Sequence, residues 1–105
     1  MAQFDVYRNP NPATRSRIPF LLDVQVQLLD SLATRIVVPL CKADTIGGKP
    51  AERLNPQFEV EGRKVVMVTQ ELAGIPRKAL GELAGNLTGE RAQIIAALDF
   101  AFTGI

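Results

Sequence analysis

Residues Gly89 to Ile105 (GERAQIIAALDFAFTGI) constrain the fold more than any other stretch of this 105-residue chain. The segment reads as a helix, with Thr88 as an N-cap whose hydroxyl accepts from an orphan N–H of the first turn. Glu90 then sits where the helix dipole favours negative charge. From Ile94 onward only Asp99 and Thr103 carry polar side chains. On a helical wheel Ile94, Ile95, Leu98, Ala101 and Phe102 share one face, and Phe100 lies on the other beside Ala96 and Ala97. A helix apolar on both faces is normally buried on both. A chain this short cannot wrap one, so the reading is a sheet on one side and a partner chain on the other. Asp99 interrupts the apolar run where desolvation is costly, which points to a wet edge or a complementary group on the partner. Ile105 adds to this, because chain ends are usually polar and frayed. The plainer alternative is a core helix with a ragged end.

The remainder of the chain reads as strands. Gln3 to Tyr7 alternates Phe4 and Val6 against Asp5 and Tyr7. Arg8 to Arg17 (RNPNPATRSR) is a loop by composition, either a plain hairpin connection or a contact surface. Ile18 to Gln27 carries the cleanest alternation: Leu22, Val24 and Val26 point one way, Asp23, Gln25 and Gln27 the other. Leu28 and Leu29 break it where a turn through Asp30-Ser31 begins. They are core or an adhesive edge, and residue type favours core. Thr34 to Leu40 is a third strand, with Pro39 marking an edge, a bulge or the strand end. Cys41 to Pro56 is poorly patterned and long enough to be a functional loop. Gln57 to Thr69 is a hairpin turning at Glu61-Gly62, and Val65 to Val68 lacks alternation, as a strand covered on both faces does. Glu71 to Pro76 adds a short strand, whereas Arg77 to Leu87 is interrupted by Gly81 and Gly85 and reads as irregular. The expectation is a mainly β single domain, residues 1–105: five or six antiparallel strands in a small bent sheet or barrel, followed by one helix.

Composition excludes much chemistry. The chain has no histidine, so His-based acid–base catalysis, Ser-His-Asp triads and most zinc sites are out. The lone Cys41 forms no intrachain disulfide and suits a reducing cytoplasm. A net charge of +1 supplies no broad basic field for nucleic acid. No Gly-rich phosphate loop is present, since Pro50 follows Gly47-Gly48-Lys49. The acidic residues other than Asp99 read as solvated surface without metal or glycosidase spacing. Arg15, Arg17 and Arg35 form a basic spot or are ordinary surface arginines. No apolar run reaches membrane-span length and the first residues lack a leader pattern. These readings describe a binding protein rather than an enzyme, with no catalytic residue, metal or cofactor.

Five stretches then matter together: QFDVY (3–7), LLDVQVQLLD (21–30), RIVVPL (35–40), TQELAGIP (69–76) and the terminal IIAALDFAFTGI. In this order and spacing the chain resembles the CcdB toxins of bacterial toxin–antitoxin modules over essentially its whole length. Each motif alone is weak; their joint occurrence is specific. The resemblance implies a homodimer of SH3-like barrels, of the CcdB/MazF type, with the two C-terminal helices near the dimer axis. It implies a toxin that binds the A subunit of DNA gyrase and traps the cleaved-DNA complex. It further implies neutralisation by a CcdA-like antitoxin whose C-terminal segment folds on binding, with autoregulation of transcription by the toxin–antitoxin complex.

Carried over by position, the resemblance assigns gyrase binding to Val26, Leu28 and Leu29 at the strand end and to Asp99, Phe102, Thr103, Gly104 and Ile105 at the helix end. It assigns antitoxin contacts to the loops 8–17 and 41–50, with Arg8, Asn9, Arg15, Arg17, Ile46 and Gly47. Two positions depart from the pattern. Thr103 stands where the best-known members carry Trp, and an indole stacks on a guanidinium where Thr cannot. Losing such an anchor weakens binding by about 2 kcal/mol or more. Val26 replaces a small polar residue. The alternative function is a MazF/Kid-like mRNA endoribonuclease, which needs a basic groove with an acid or base drawn from Arg15, Arg17, Arg35 and Asp23.

Overall fold

In the computed structural model, which describes residues 2–45 and 51–104, seven strands precede one helix among the described residues. The strands are β1 (Asp5–Arg8), β2 (Phe20–Asp23), β3 (Thr34–Lys42), β4 (Gln57–Val60), β5 (Arg63–Met67), β6 (Ala73–Pro76) and β7 (Leu83–Asn86), and the helix is α1 (Arg91–Thr103). All pairings are antiparallel and form one curled half-barrel in the order β4-β5-β3-β2-β1-β7, with β6 also on β3. The expected mainly β fold with a C-terminal helix is what the chain adopts.

The long strand β3 organises the sheet. One side pairs with β2, from Phe20 opposite Leu40 to Asp23 opposite Val37. The other side changes partner: Thr34 to Val37 pair with β6, and Leu40 to Lys42 with β5. Pro39 sits at that change, where a missing N–H breaks the least. Its carbonyl still accepts the Val68 N–H at 3.0 Å. The proline therefore marks a switch of neighbours, not the end of the strand.

The β4–β5 hairpin forms as its pattern requires. Phe58 and Val60 face the core while Gln57 and Glu59 face out, and Val65, Val66 and Met67 are covered on both sides. The turn places Glu61 and Gly62 at φ of 53° and 77°, the double left-handed geometry that matches strand twist. The core gathers Phe4, Val6, Phe20, Leu22, Val24, Val38, Leu40, Phe58, Val60, Val65 and Met67 from the strands, and Ile94 and Ala97 from the helix. Each large apolar side chain enclosed there contributes roughly 2 kcal/mol.

Three local expectations are revised. The stretch 77–87 is not irregular throughout: β7 pairs with β1 through Asp5–Asn86, Val6–Gly85 and Tyr7–Leu83, with a bulge between Val6 and Tyr7. Gly81 makes this approach possible, since a Cβ there would stand 2.6 Å from the Arg8 carbonyl oxygen. Strand β2 ends at Asp23, and Asp23 and Gln25 are buried although alternation pointed them outward. Before α1 the chain makes a 3₁₀ turn, Thr88–Glu90, and Thr88 does not supply the cap. Instead Asn86 Oδ1 accepts the Thr88 N–H at 2.8 Å.

The helix faces also differ from the wheel. Ala97, not Ala101 or Phe102, joins Ile94 on the buried side, with Ile95 and Leu98 half-buried. The last turn runs past the sheet, leaving Asp99, Ala101, Phe102 and Thr103 exposed. In the protomer the apolar side chains of α1 left uncovered are Ala92, Ala96, Ala101 and Phe102.

Candidate protein-interaction site

Two exposed apolar patches carry the described residues expected at a target interface. The first is a knuckle after β2. Val26 leaves the strand in extended geometry and Gln27–Leu29 make one 3₁₀ turn. No buried residue lies within that turn, and Leu28 is 88% exposed. The two leucines are therefore surface, against the core reading their residue type favoured. Leu32 and Ile36, both exposed, extend the patch. The Leu32 N–H bonds the Leu29 carbonyl at 3.2 Å, and the Ile36 carbonyl takes the Val24 N–H at 3.0 Å. Sequence reasoning missed these two; the uninterrupted Ile36-Val37-Val38 was the available signal, since one member of such a run must face away from the core.

The second patch is the end of α1. Phe102 is 73% exposed. The Thr103 hydroxyl donates to the Asp99 carbonyl at 2.7 Å, so it binds its own helix. Gly104 takes φ 74° and its N–H closes on the Phe100 carbonyl at 3.0 Å, the left-handed cap that a glycine provides without strain. Phe100 turns back and lies under the Arg53 guanidinium, 4.6 Å from the ring centroid. Beside it a cavity of about 380 Å³ is lined by Leu54, Thr69, Gln70, Leu72, Phe100 and Phe102. Asp99 is solvated in the protomer, so it carries no desolvation cost there. Ile105 lies outside the described residues.

The knuckle and the helix end are built on different supports. The helix end rests against the turn Thr69–Glu71 and Leu54. The knuckle rests on a polar cluster beneath it. Arg35, fully buried, donates through Nε to Asp23 Oδ2 at 2.9 Å and approaches the same oxygen through Nη2 at 2.7 Å. Its Nη1 reaches Asp30 Oδ1 at 3.1 Å. Burial pushes the Asp23 carboxyl above its ordinary value, outweighing the Arg35 hydrogen bond and charge that pull it down. A buried pair of this kind adds little net stability, but removing one partner leaves an uncompensated buried charge.

The loop expected to meet an antitoxin is ordered by its own side chains. Asn9 donates through Nδ2 to Thr14 Oγ1 at 3.0 Å and to the Ile18 carbonyl at 2.9 Å, and its Oδ1 accepts the Asn11 N–H at 3.1 Å. Asn9 is thus occupied in folding the loop. Arg8, Arg15 and Arg17 are exposed, with Arg8 Nη2 2.5 Å from Glu61. Arg8, Arg15, Lys42 and Arg63, with Glu82, are the charged residues lining a cavity of about 490 Å³, which therefore has a cationic balance. Ile46 and Gly47 lie outside the described residues.

The basic spot does not form. Arg35 is interior and paired with Asp23, so neither is presented to a substrate alongside Arg15 and Arg17. The groove that RNA cleavage needs is not assembled from them. Cys41 is a buried free thiol, and burial pushes it above the usual thiol range. Among the described residues no three His, Cys, Asp or Glu side chains gather to hold an ion, and no helix is long and apolar enough to cross a membrane.

Against this geometry stands one comparison: the family model described as CcdB protein matches residues 3–104. The chain belongs to the CcdB family. Membership implies a toxin of a toxin–antitoxin module with gyrase as its target, and with gyrase and a CcdA-type antitoxin as partners. CcdB proteins poison gyrase and are not enzymes of a conventional kind. The curled half-barrel fits the SH3-like fold of such toxins.

Proposed function

We propose that this CcdB-family protein acts without catalysis, as a homodimeric ligand of the gyrase A subunit that traps gyrase on cleaved DNA. The observation that carries the reading is the exposure of Val26, Leu28, Leu29 and Phe102, residues to which the family resemblance assigns gyrase binding. A solvated Leu28 and Phe102 contribute little to the protomer's own core and suit anchors for a partner. Because each protomer supports the patches separately, a two-fold pairing supplies two of each, matched to a target that is itself two-fold. Dimerisation is proposed to use the Ala92 and Ala96 side of α1, which leaves Phe102 accessible to the target. Gyrase works on chromosomal DNA, which places the proposed action in the cytoplasm.

An antitoxin of CcdA type is proposed to neutralise the toxin at Arg8, Arg15 and Arg17 and along the 41–50 segment. The cationic cavity beside Arg8 and Arg15 supports an acidic segment as the ligand there. The test of the central reading is a cleavage assay on supercoiled plasmid with gyrase and ATP. Full-length protein is expected to yield linear DNA after detergent and protease, and a form lacking residues 103–105 is expected to yield none. No trapped cleavage at tens of micromolar protein would sink the proposal.

A further inference from the structure

The knuckle is exposed, yet its backbone is gripped from behind by residues distant in sequence. Gln25, only 3% exposed, bridges the segment: Nε2 donates to the Leu29 carbonyl at 2.9 Å and Oε1 accepts the Ile36 N–H at 3.1 Å. Its own N–H donates to Asp23 Oδ1 at 3.0 Å. Asp30, the residue that ends the knuckle, is held by two guanidiniums. Arg35 comes from β3, and Arg77 comes from the turn after β6 and places Nη2 2.7 Å from the same Oδ1. Arg77 Nη2 also donates to the Asp30 carbonyl, and its backbone N–H closes on the Ala33 carbonyl at 3.0 Å.

A single 3₁₀ turn with no buried side chain has little of its own to keep its shape. Its own bonds are backbone ones, Leu29 N–H to the Val26 carbonyl at 3.0 Å and Asp30 N–H to the Gln27 carbonyl at 2.9 Å, and the outside bonds fix how that turn sits on the sheet. We propose that Arg77 and Gln25 are positioning residues: through Asp30 and the Leu29 carbonyl they set the angle at which Leu28 and Leu29 meet a partner. This rests on the gyrase-binding reading for its partner, though not for the clamp itself. Arg77 is the better probe because its side chain is 37% exposed, whereas Gln25 is buried.

The experiment compares Arg77→Met, Arg77→Lys and Lys78→Met in the full chain. Lys78 is exposed in the same turn, and its variant removes an equal charge without touching the clamp. Three quantities are read: melting temperature, amide hydrogen exchange at Leu29 and Asp30, whose N–H groups are bonded within the turn, and affinity for the gyrase A subunit. In Arg77→Met the knuckle amides are expected to exchange about tenfold faster at a nearly unchanged melting temperature, with affinity about tenfold weaker through a faster off-rate. Arg77→Lys should recover part of both, and Lys78→Met should change neither. Weaker binding with unchanged exchange would mean that Arg77 touches the partner directly, which overturns the proposal. Faster exchange with wild-type affinity overturns it as well. Should wild-type protein fail to bind the gyrase A subunit, the function reading falls, and the exchange data alone accept or reject the clamp.

Discussion

The knuckle and the helix end present similar apolar chemistry on opposite kinds of support. Leu28 and Leu29 stand on a buried polar lattice of Asp23, Gln25 and Arg35, tied off by Asp30 and Arg77. Phe102 stands on a last helical turn that leaves the sheet, steadied by the left-handed Gly104 cap and by Phe100 under Arg53. The difference teaches how a small domain keeps adhesive surface without unfolding. One patch is preset by side chains from distant parts of the chain, the buried Gln25 and Arg35 and the part-exposed Arg77. The other is local, so its side chains are replaceable at little structural cost.

The sharpest way to break this contrast is at Arg35. Replacing it with Met leaves Asp23 buried without its partner and should lower stability by about 3–5 kcal/mol, read as a shift of the chemical-denaturation midpoint. The sign of its pH dependence follows. Without the guanidinium, the Asp23 carboxyl rises further above its unfolded value. The protonated form then stabilises the fold at low pH, and that contribution is lost as pH climbs through the folded pKa. The deficit of Arg35→Met should therefore shrink toward pH 4, and a deficit independent of pH would contradict the buried pair.

At the helix end the effect should move from stability to binding. Phe102→Ala is expected to weaken gyrase A subunit affinity by about 2 kcal/mol while denaturation changes by less than about 0.5 kcal/mol. Leu28→Ala should do the same at the knuckle with a smaller loss, about 1 kcal/mol, again without a stability change. A large stability loss in either would mean that the patch is core in the working form.

The smallest effect is spectroscopic. Tyr7 is the one tyrosine and the chain has no tryptophan, so phenolate absorbance reports it alone. Burial, then the hydrogen bond to Asp5 and the charges of Asp5 and Asp23, push its pKa up to about 12. The stability gained from the neutral phenol is complete below its unfolded value near 10 and is lost as pH rises toward about 12. Phe102→Ala should leave this titration in place, because the two sites share no support.

How far these features could be read in the sequence depended on where the determining contacts come from. The β4–β5 hairpin was legible because Phe58, Val60 and Glu61-Gly62 carry the pattern and the turn within twelve residues. The helix was legible as an element, but its faces were not: which side of Ala97 meets the sheet depends on strands distant in sequence. Strand β7 (Leu83–Asn86) was hidden because Leu-Ala-Gly-Asn has little strand preference, and β1 supplies its order. Asp23 and Gln25 read as outward-facing because alternation assumes a wet second face, whereas Arg35 fills that face here. The knuckle leucines read as core for the same reason: residue type speaks of burial, and exposure here is imposed by a clamp whose far arm is 47 residues away.

The most direct test of the account is calorimetric titration of the gyrase A subunit with wild type, Leu28→Ala, Phe102→Ala and the double variant, with light scattering to follow the oligomer. The expected result is a wild-type complex of one toxin dimer per gyrase A dimer, weaker binding in each single variant, and none detectable in the double. Wild-type affinity in either single variant, with its dimer intact, would contradict the claim that both patches engage one target.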